Sequence, residues 1–229
     1  MSVMWVEDDG ALALTQKGYG YIESASTGNM ALSYGNVSSG SAPSAGDLVV
    51  WIVEATDNAA QAINDLTGSG WTQSRAYVST LIGASILAKV VSAGDISAPP
   101  TIVTSPVYGS AGMWVAYTVS GSITSLSANS LTAEYNGSSA PSNQTPDASA
   151  SARAIMLSFG LGSDNAMSIA WSGATADISL ERTNVMSNGT LVVDIKYLAK
   201  LGVPGDSVTI SMGDDGSLNA LASGYIAVA

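Results

Sequence analysis

Histidine and cysteine are both absent from this 229-residue chain. Without cysteine there is no disulfide, no thiol nucleophile and no thiolate metal site. Without histidine a serine nucleophile loses its usual base. Phenylalanine is nearly missing too, with Phe159 alone against many glycines, alanines, serines and threonines. Such a composition suits flat, closely packed β layers better than the core of a helical enzyme.

Positive charge is the next scarcity. Lys17, Arg75, Lys89, Arg153, Arg182, Lys196 and Lys200 are scattered against eighteen acidic residues, for a net charge of −11. Nucleic-acid binding and attraction to anionic lipid both need clustered lysine and arginine, so neither partner is expected. No apolar run approaches the roughly 18 residues of a membrane helix, so no membrane span is expected. Met1 to Gly10 carries Glu7, Asp8 and Asp9 where a signal peptide carries positive charge, so export by a standard signal is not expected. The lack of cysteine fits a bacterial or viral protein made in the cytoplasm.

What is present points to ordered β structure. Hydrophobic residues make up 46% of the chain and charged ones 11%, the reverse of a disordered composition. Period-two alternation predicts strands at Leu48 to Ala55, Ile86 to Val91, Thr101 to Thr104 and Met113 to Val119. In the second half it predicts them at Ala154 to Phe159, Met167 to Trp171, Ile178 to Arg182, Leu191 to Ala199, Val208 to Met212 and Ser223 to Val228. Asn136-Gly137, Asn188-Gly189 and Gly213-Asp214-Asp215-Gly216 read as turns, while Pro99-Pro100 and Pro204-Gly205 interrupt any helix. One short helix is expected at Asp57 to Leu66, with Asp57 as its cap.

One string occurs twice. Leu87-Ala88-Lys89 precedes Gly94-Asp95, and Leu198-Ala199-Lys200 precedes Gly205-Asp206. Each copy closes one apolar run and opens another, so residues 46–121 and 152–229 read as pseudo-repeats, with Trp71 matched to Trp171. Roughly eight to ten strands then suggest an all-β, jelly-roll-like two-sheet sandwich over 46–229. Two tandem β domains split near residues 138–151 are the alternative, but halves under eighty residues without disulfides would have thin cores. Residues 1–45 read as an N-terminal arm or added edge strands. Residues 122–151 read as a long connection with an edge strand near Leu131 to Tyr135. Lys89 and Lys200 read as charges facing water and guarding strand edges.

Little chemistry suggests itself. Glu54, Glu134, Glu181 and Asp194 could supply a carboxylate pair, but no spacing singles one out, and solvent-facing strand positions explain them. A Ser–Lys pair has no distinguishing sequence signal. Calcium is the one metal worth weighing, at 213–219, Asp57-Asn58 or Asp164-Asn165, and turn formation accounts for all three. No catalytic, cofactor or metal residue is therefore assigned. Trp51, Trp71, Trp114 and Trp171 read as sheet packing. Met4, Trp5, Tyr19 and Tyr21, lying in the arm, read as partner-binding residues, since an apolar tip without an internal home packs on a partner.

Gly46-Asp47-Leu48-Val49-Val50-Trp51, Gly70-Trp71-Thr72, Leu87 to Val91 with Ala93-Gly94-Asp95, and Trp114-Val115-Ala116-Tyr117 together resemble jelly-roll modules of tailed-bacteriophage virion proteins. The resemblance covers residues 46–229 in outline and is clearest in 46–121. It implies a structural, non-enzymatic subunit on the virion exterior, with a homotrimer expected. The first expectation is a capsid decoration (cement) protein bound to the major capsid protein. The alternative is a tail or fibre component binding tail proteins or host glycans, with exposed aromatics near Trp71 or Trp171.

Overall fold

The computed structural model describes residues 12–25, 28–56, 62–78, 82–104, 106, 109–136, 140–145, 153–162, 169–173, 175–187, 192–202, 209–212 and 219–229. The described strands are β1 (Ala13–Ala25), β2 (Met30–Ala31), β3 (Asn36–Gly40), β4 (Leu48–Thr56), β5 (Thr72–Val78), β6 (Ile82–Val90), β7 (Thr101–Val103) and β8 (Gly109–Ser120). After them come β9 (Leu126–Tyr135), β10 (Ala154–Gly162), β11 (Ile169–Ser172), β12 (Ile178–Ser187), β13 (Val192–Gly202), β14 (Thr209–Met212) and β15 (Ala220–Val228). A five-residue helix, α1 (Ala93–Ser97), and a 3-10 turn at Thr67–Ser69 complete the described elements.

All described strand pairing is antiparallel and is dominated by two large sheets, as an all-β fold of alternating strands requires. The first has the order β3-β1-β8-β4-β6-β5 and the second β12-β13-β10-β15-β9. Their facing sides meet in one apolar core. It holds Leu48, Val50 and Ile52 of β4, Ile86 of β6, Met113, Val115 and Tyr117 of β8, and Ile155, Leu157, Phe159, Ala222 and Ile226 from the second sheet. The outer side of each sheet is covered as well. Trp51, Leu87 and Trp114 pack under Leu32, Tyr34, Ile63, Leu66 and Ile102, while Met156, Leu221 and Tyr225 pack under Ile169, Ile210 and Met212. Burial on both faces explains why β4 reads as a continuous apolar run: all nine of its residues are buried.

The connections are not those of a jelly roll, whose strands alternate between sheets. Here residues 13–120 complete the first sheet before 126–228 build the second. Within each half the order is nevertheless the same in chain terms. β1-β8-β4-β6-β5 runs as β9-β15-β10-β13-β12 runs, each a first strand, a last strand, then the intervening ones. The covers match too: Val103 of β7 pairs with Met30 and Ile63, and Ile210 of β14 pairs with Gln144 and Trp171. Leu87-Ala88-Lys89 and Leu198-Ala199-Lys200 fall on β6 and β13, which occupy the same place in their sheets.

Several expectations need correction. Residues 62–66 are extended rather than helical, because Ala62 accepts from Thr104, Asn64 donates to Ile102 and Ile63 pairs with Val103, drawing the segment into the cover. Residues 57–61 lie outside the described residues. Gly94-Asp95 is a capped helical turn, with Ser92 and Asp95 exchanging hydrogen bonds as a capping box. Trp71 precedes β5 directly whereas Trp171 lies on β11 in the cover, so the two tryptophans are not equivalent. β6 and β13 are interior strands, and Lys89 is bound to the Ser69 carbonyl and Asp95 rather than facing water; the Lys200 side chain lies outside the description.

Residues 13–25 and 36–40 extend the first sheet. β1 pairs with β8 along its length and β3 lies outside it. The string Gly18-Tyr19-Gly20-Tyr21 follows the pleat of β1. At Gly20 a Cβ would run into the Asn36 carbonyl oxygen and come within 2.8 Å of Cζ2 of Trp114, so glycine is required for β3 and Trp114 to close over β1. Tyr19 and Tyr21 project to the opposite face.

Candidate functional site

The first copy of the repeated string supplies one of three ion pairs among the described residues. Lys89 leaves β6 two positions before Val91 and reaches the loops on either side of it. Its Nζ donates to the Ser69 carbonyl at 2.9 Å and to Oδ1 of Asp95 at 2.7 Å, and lies 5.9 Å from the centroid of the Trp71 ring. The second oxygen, Oδ2, accepts from the Ser92 amide at 2.8 Å and the Ser92 hydroxyl at 2.7 Å. Side-chain exposure is 21% for Lys89 and 12% for Asp95, so both charges are largely withdrawn from water.

Burial alone would raise the Asp95 carboxyl above its usual range. Hydrogen bonds from Lys89, the Ser92 hydroxyl and the Ser92 amide, with the lysine charge, outweigh it and hold the carboxyl below 3.8. An ionised carboxylate with both oxygens occupied is poorly placed to act as an acid or base at neutral pH, and its lysine is committed as a donor. The arrangement is a fastener tying the 67–71 and 92–97 loops to an interior strand. In the second copy, the Lys200 side chain and Asp206 lie outside what the structure describes.

Two more cations are used the same way. Lys17 donates to Oδ2 of Asp47 at 2.6 Å and to the Ser44 hydroxyl at 2.8 Å, pinning the loop before β4 to β1. Arg75 of β5 donates to Asp65 at 3.2 Å and to the Ile63 carbonyl at 3.2 Å. Hydrogen bonds from the Thr67 hydroxyl and amide hold the Asp65 carboxyl below its usual range.

An aromatic group fills the first cover. Tyr34 lies 5.7 Å from Trp51 and 5.7 Å from Trp114, edge-on to the latter, and all three are buried. Burial pushes the Tyr34 hydroxyl up to about 12; the nearby Trp51 N–H, which falls outside hydrogen-bond geometry, offsets part of this, and the Asp95 charge adds a little. In the second half Gln144 plays the anchoring part. It donates to the Leu221 carbonyl at 2.9 Å, accepts from the Ser223 hydroxyl at 2.6 Å, and pairs by backbone with Ile210. Trp171 donates from Nε1 to the Ser158 hydroxyl at 2.8 Å. No motif marks Gln144 or Tyr34; only the topology brings them under the sheets.

The residues expected to bind a partner are not brought together by the described structure. Tyr19 is half-buried and packs against the core between the sheets, and Tyr21 is half-buried on the same face. Met4 and Trp5 lie outside the described residues. Trp71 is 2% exposed and presents no stacking surface, whereas Trp171 is half-buried.

Of the weighed carboxylates, Glu54 is not where alternation put it. Glu54 is fully buried, not solvent-facing, because β4 is covered on both sides. Glu134 accepts from Ser142 at 3.2 Å, and the side chains of Glu181 and Asp194 are outside the description. The calcium candidates at 57–58, 164–165 and 213–218 are outside it too. Among the described residues no group of three or more acidic side chains could hold a metal.

No helix among the described residues is long and apolar enough to cross a membrane. No family model matches this chain, no curated protein matches it, and no solved structure matches it.

Proposed function

We propose that this chain is a structural protein of a tailed-phage virion, first of all a capsid decoration protein that binds the major capsid protein lattice. The observation that carries the reading is how the described charged side chains are spent. Lys17, Lys89 and Arg75 each tie a loop to a strand through a carboxylate, which serves rigidity rather than turnover. The residues behind the resemblance also belong to one unit: Trp51, Trp71, Leu87 and Trp114 share the covered side of the first sheet.

The common strand order of the halves supports a further part of the reading, that the chain is a duplication of one sheet-plus-cover unit, with the copies packed face to face. The homotrimer and the contact through the N-terminal segment with Met4 and Trp5 belong to the same proposal.

Removing residues 1–11 tests it, since that cut spares β1. Full-length protein is expected to co-sediment with undecorated heads of the phage that encodes it, and the truncated protein to stay in the supernatant while keeping its β spectrum. Equal binding by both would remove the N-terminal segment from the contact, and no binding by either would overturn the decoration role.

A further inference from the structure

The two large sheets meet through a side-chain core rather than through backbone pairing. Among the described residues no backbone hydrogen bond links residues up to 120 with residues from 126 onward. Across the divide the Thr72 hydroxyl donates to the Leu126 carbonyl at 3.3 Å. The chain crosses between the sheets once, through Gly121–Ser125. Each sheet therefore carries its own cover and its own backbone pairing, and could part from the other without unthreading.

That crossing is nearly taut. β8 is separated from β5 by β4 and β6, and β9 packs against β5 and β6. Two to three strand spacings amount to about 12 Å sideways, and the step between stacked sheets is about 10 Å. The span from Ser120 to Leu126 is thus at least about 16 Å before any offset along the strands. Six peptide units reach about 20–22 Å, and four reach only about 13–14 Å. Gly121 adopts a φ of 86°, and it and Ser122 are exposed, so the hinge end of the crossing is not held by packing.

We propose that the facing side of each sheet is an exchangeable interface whose alternative occupant is the opposite sheet of a second copy of this chain. The same apolar core, with Ile86, Phe159 and Ile226, would be rebuilt between two molecules as it is within one. The crossing length selects between the two arrangements, because a link too short to fold back leaves both faces open to a second copy.

The lack of cysteine gives a clean readout. A Cβ built on Gly224 lies 2.7 Å from Cδ1 of Ile86 in the opposite sheet and 3.1 Å from the Asn129 oxygen and Leu131 Cα, so Ile86→Cys with Gly224→Cys brings two thiols within reach across the core once β9 gives by a few tenths of an ångström. With the native crossing, oxidation should give a monomer closed by an internal disulfide. With Gly121 and Ser122 deleted, it should give a covalent dimer, resolved on a non-reducing gel whatever the non-covalent assembly. A covalent monomer from the deletion protein would overturn the proposal. If the deletion protein does not fold, the native-length pair refolded at rising concentration decides: a growing covalent dimer supports exchange, and monomer at every concentration overturns it.

Discussion

Lys89 Nζ and Asp95 Oδ1 lie 2.7 Å apart, and this pair is the two ends of the string that the sequence repeats. In the first copy it is a hold between an interior strand and the loop that leaves it. Because both side chains are mostly shielded, the pair escapes the near-zero value of exposed ion pairs. Asp95→Ala removes the lysine's partner and the carboxylate half of the capping box, leaving the Asp95 amide on Ser92, and should lower stability by about 1–3 kcal/mol. Lys89→Met, which keeps the stem over Trp71, should cost about 1 kcal/mol. Urea unfolding of both single variants and the double variant measures the coupling, and strictly additive losses would deny it.

The same carboxylate sets an acid limit. Its folded value is below 3.8, so the stability it contributes is present above that ordinary value and is lost as pH falls through the folded one. Asp95→Asn should flatten the fall in stability below pH 4 relative to the parent, as read by thermal unfolding at stepped pH. An unchanged acid slope would remove Asp95 from the account.

Two tyrosines set an alkaline limit. Burial raises Tyr34 from 10.0 to about 12, and burial with the Asp177 charge raises Tyr117 further. Stability from these neutral hydroxyls is complete below pH 10 and is lost as pH rises through their folded values. Tyrosinate absorbance should show the two titrating late and together with unfolding, and Tyr34→Phe should shift the alkaline unfolding midpoint upward. Tyr34 titrating at its ordinary value in folded protein would contradict its buried place.

Gly20 and Gly35 make a matched pair. A Cβ on Gly20 would meet the Asn36 carbonyl and Trp114, whereas nothing lies within 4 Å of one on Gly35. Gly20→Ala should cost about 1–3 kcal/mol and loosen β3, while Gly35→Ala should stay within about 0.5 kcal/mol of the parent. Equal losses would mean that β3 does not close over β1 in this way.

Gln144 has no counterpart in any motif, yet its carboxamide joins Leu221 and Ser223 under the second cover. Gln144→Ala strands a buried carbonyl and hydroxyl and should cost about 1–3 kcal/mol. Gln144→Leu should cost as much, since shape without hydrogen bonds does not satisfy them. A neutral result for both, by chemical unfolding, would dismiss the anchor.

How far the sequence reads depends on the range of the force involved. Alternation marked β4, β8, β10 and β13 because a strand's faces are local, and Leu191 to Ala199 was legible as strand rather than helix on that ground. Sheet membership was not legible, since Tyr19 packs against the inter-sheet core through partners nearly a hundred residues away or more, such as Val115 opposite it. Residues 62–66 misled for the same reason: the helical spacing of Ile63 and Leu66 yields to backbone bonds of Ala62 and Asn64 with Thr104 and Ile102. Lys89 looked like an edge guard because neither its strand's neighbours nor Asp95's orientation is written locally.

The proposed virion role is tested most directly by the copy number of this chain in purified particles of a tailed phage whose genome carries its gene. Quantitative mass spectrometry against the major capsid protein should find it in hundreds of copies, in fixed proportion to the lattice. Particles that lack the chain altogether would contradict the virion role, and a handful of copies would contradict decoration of the head.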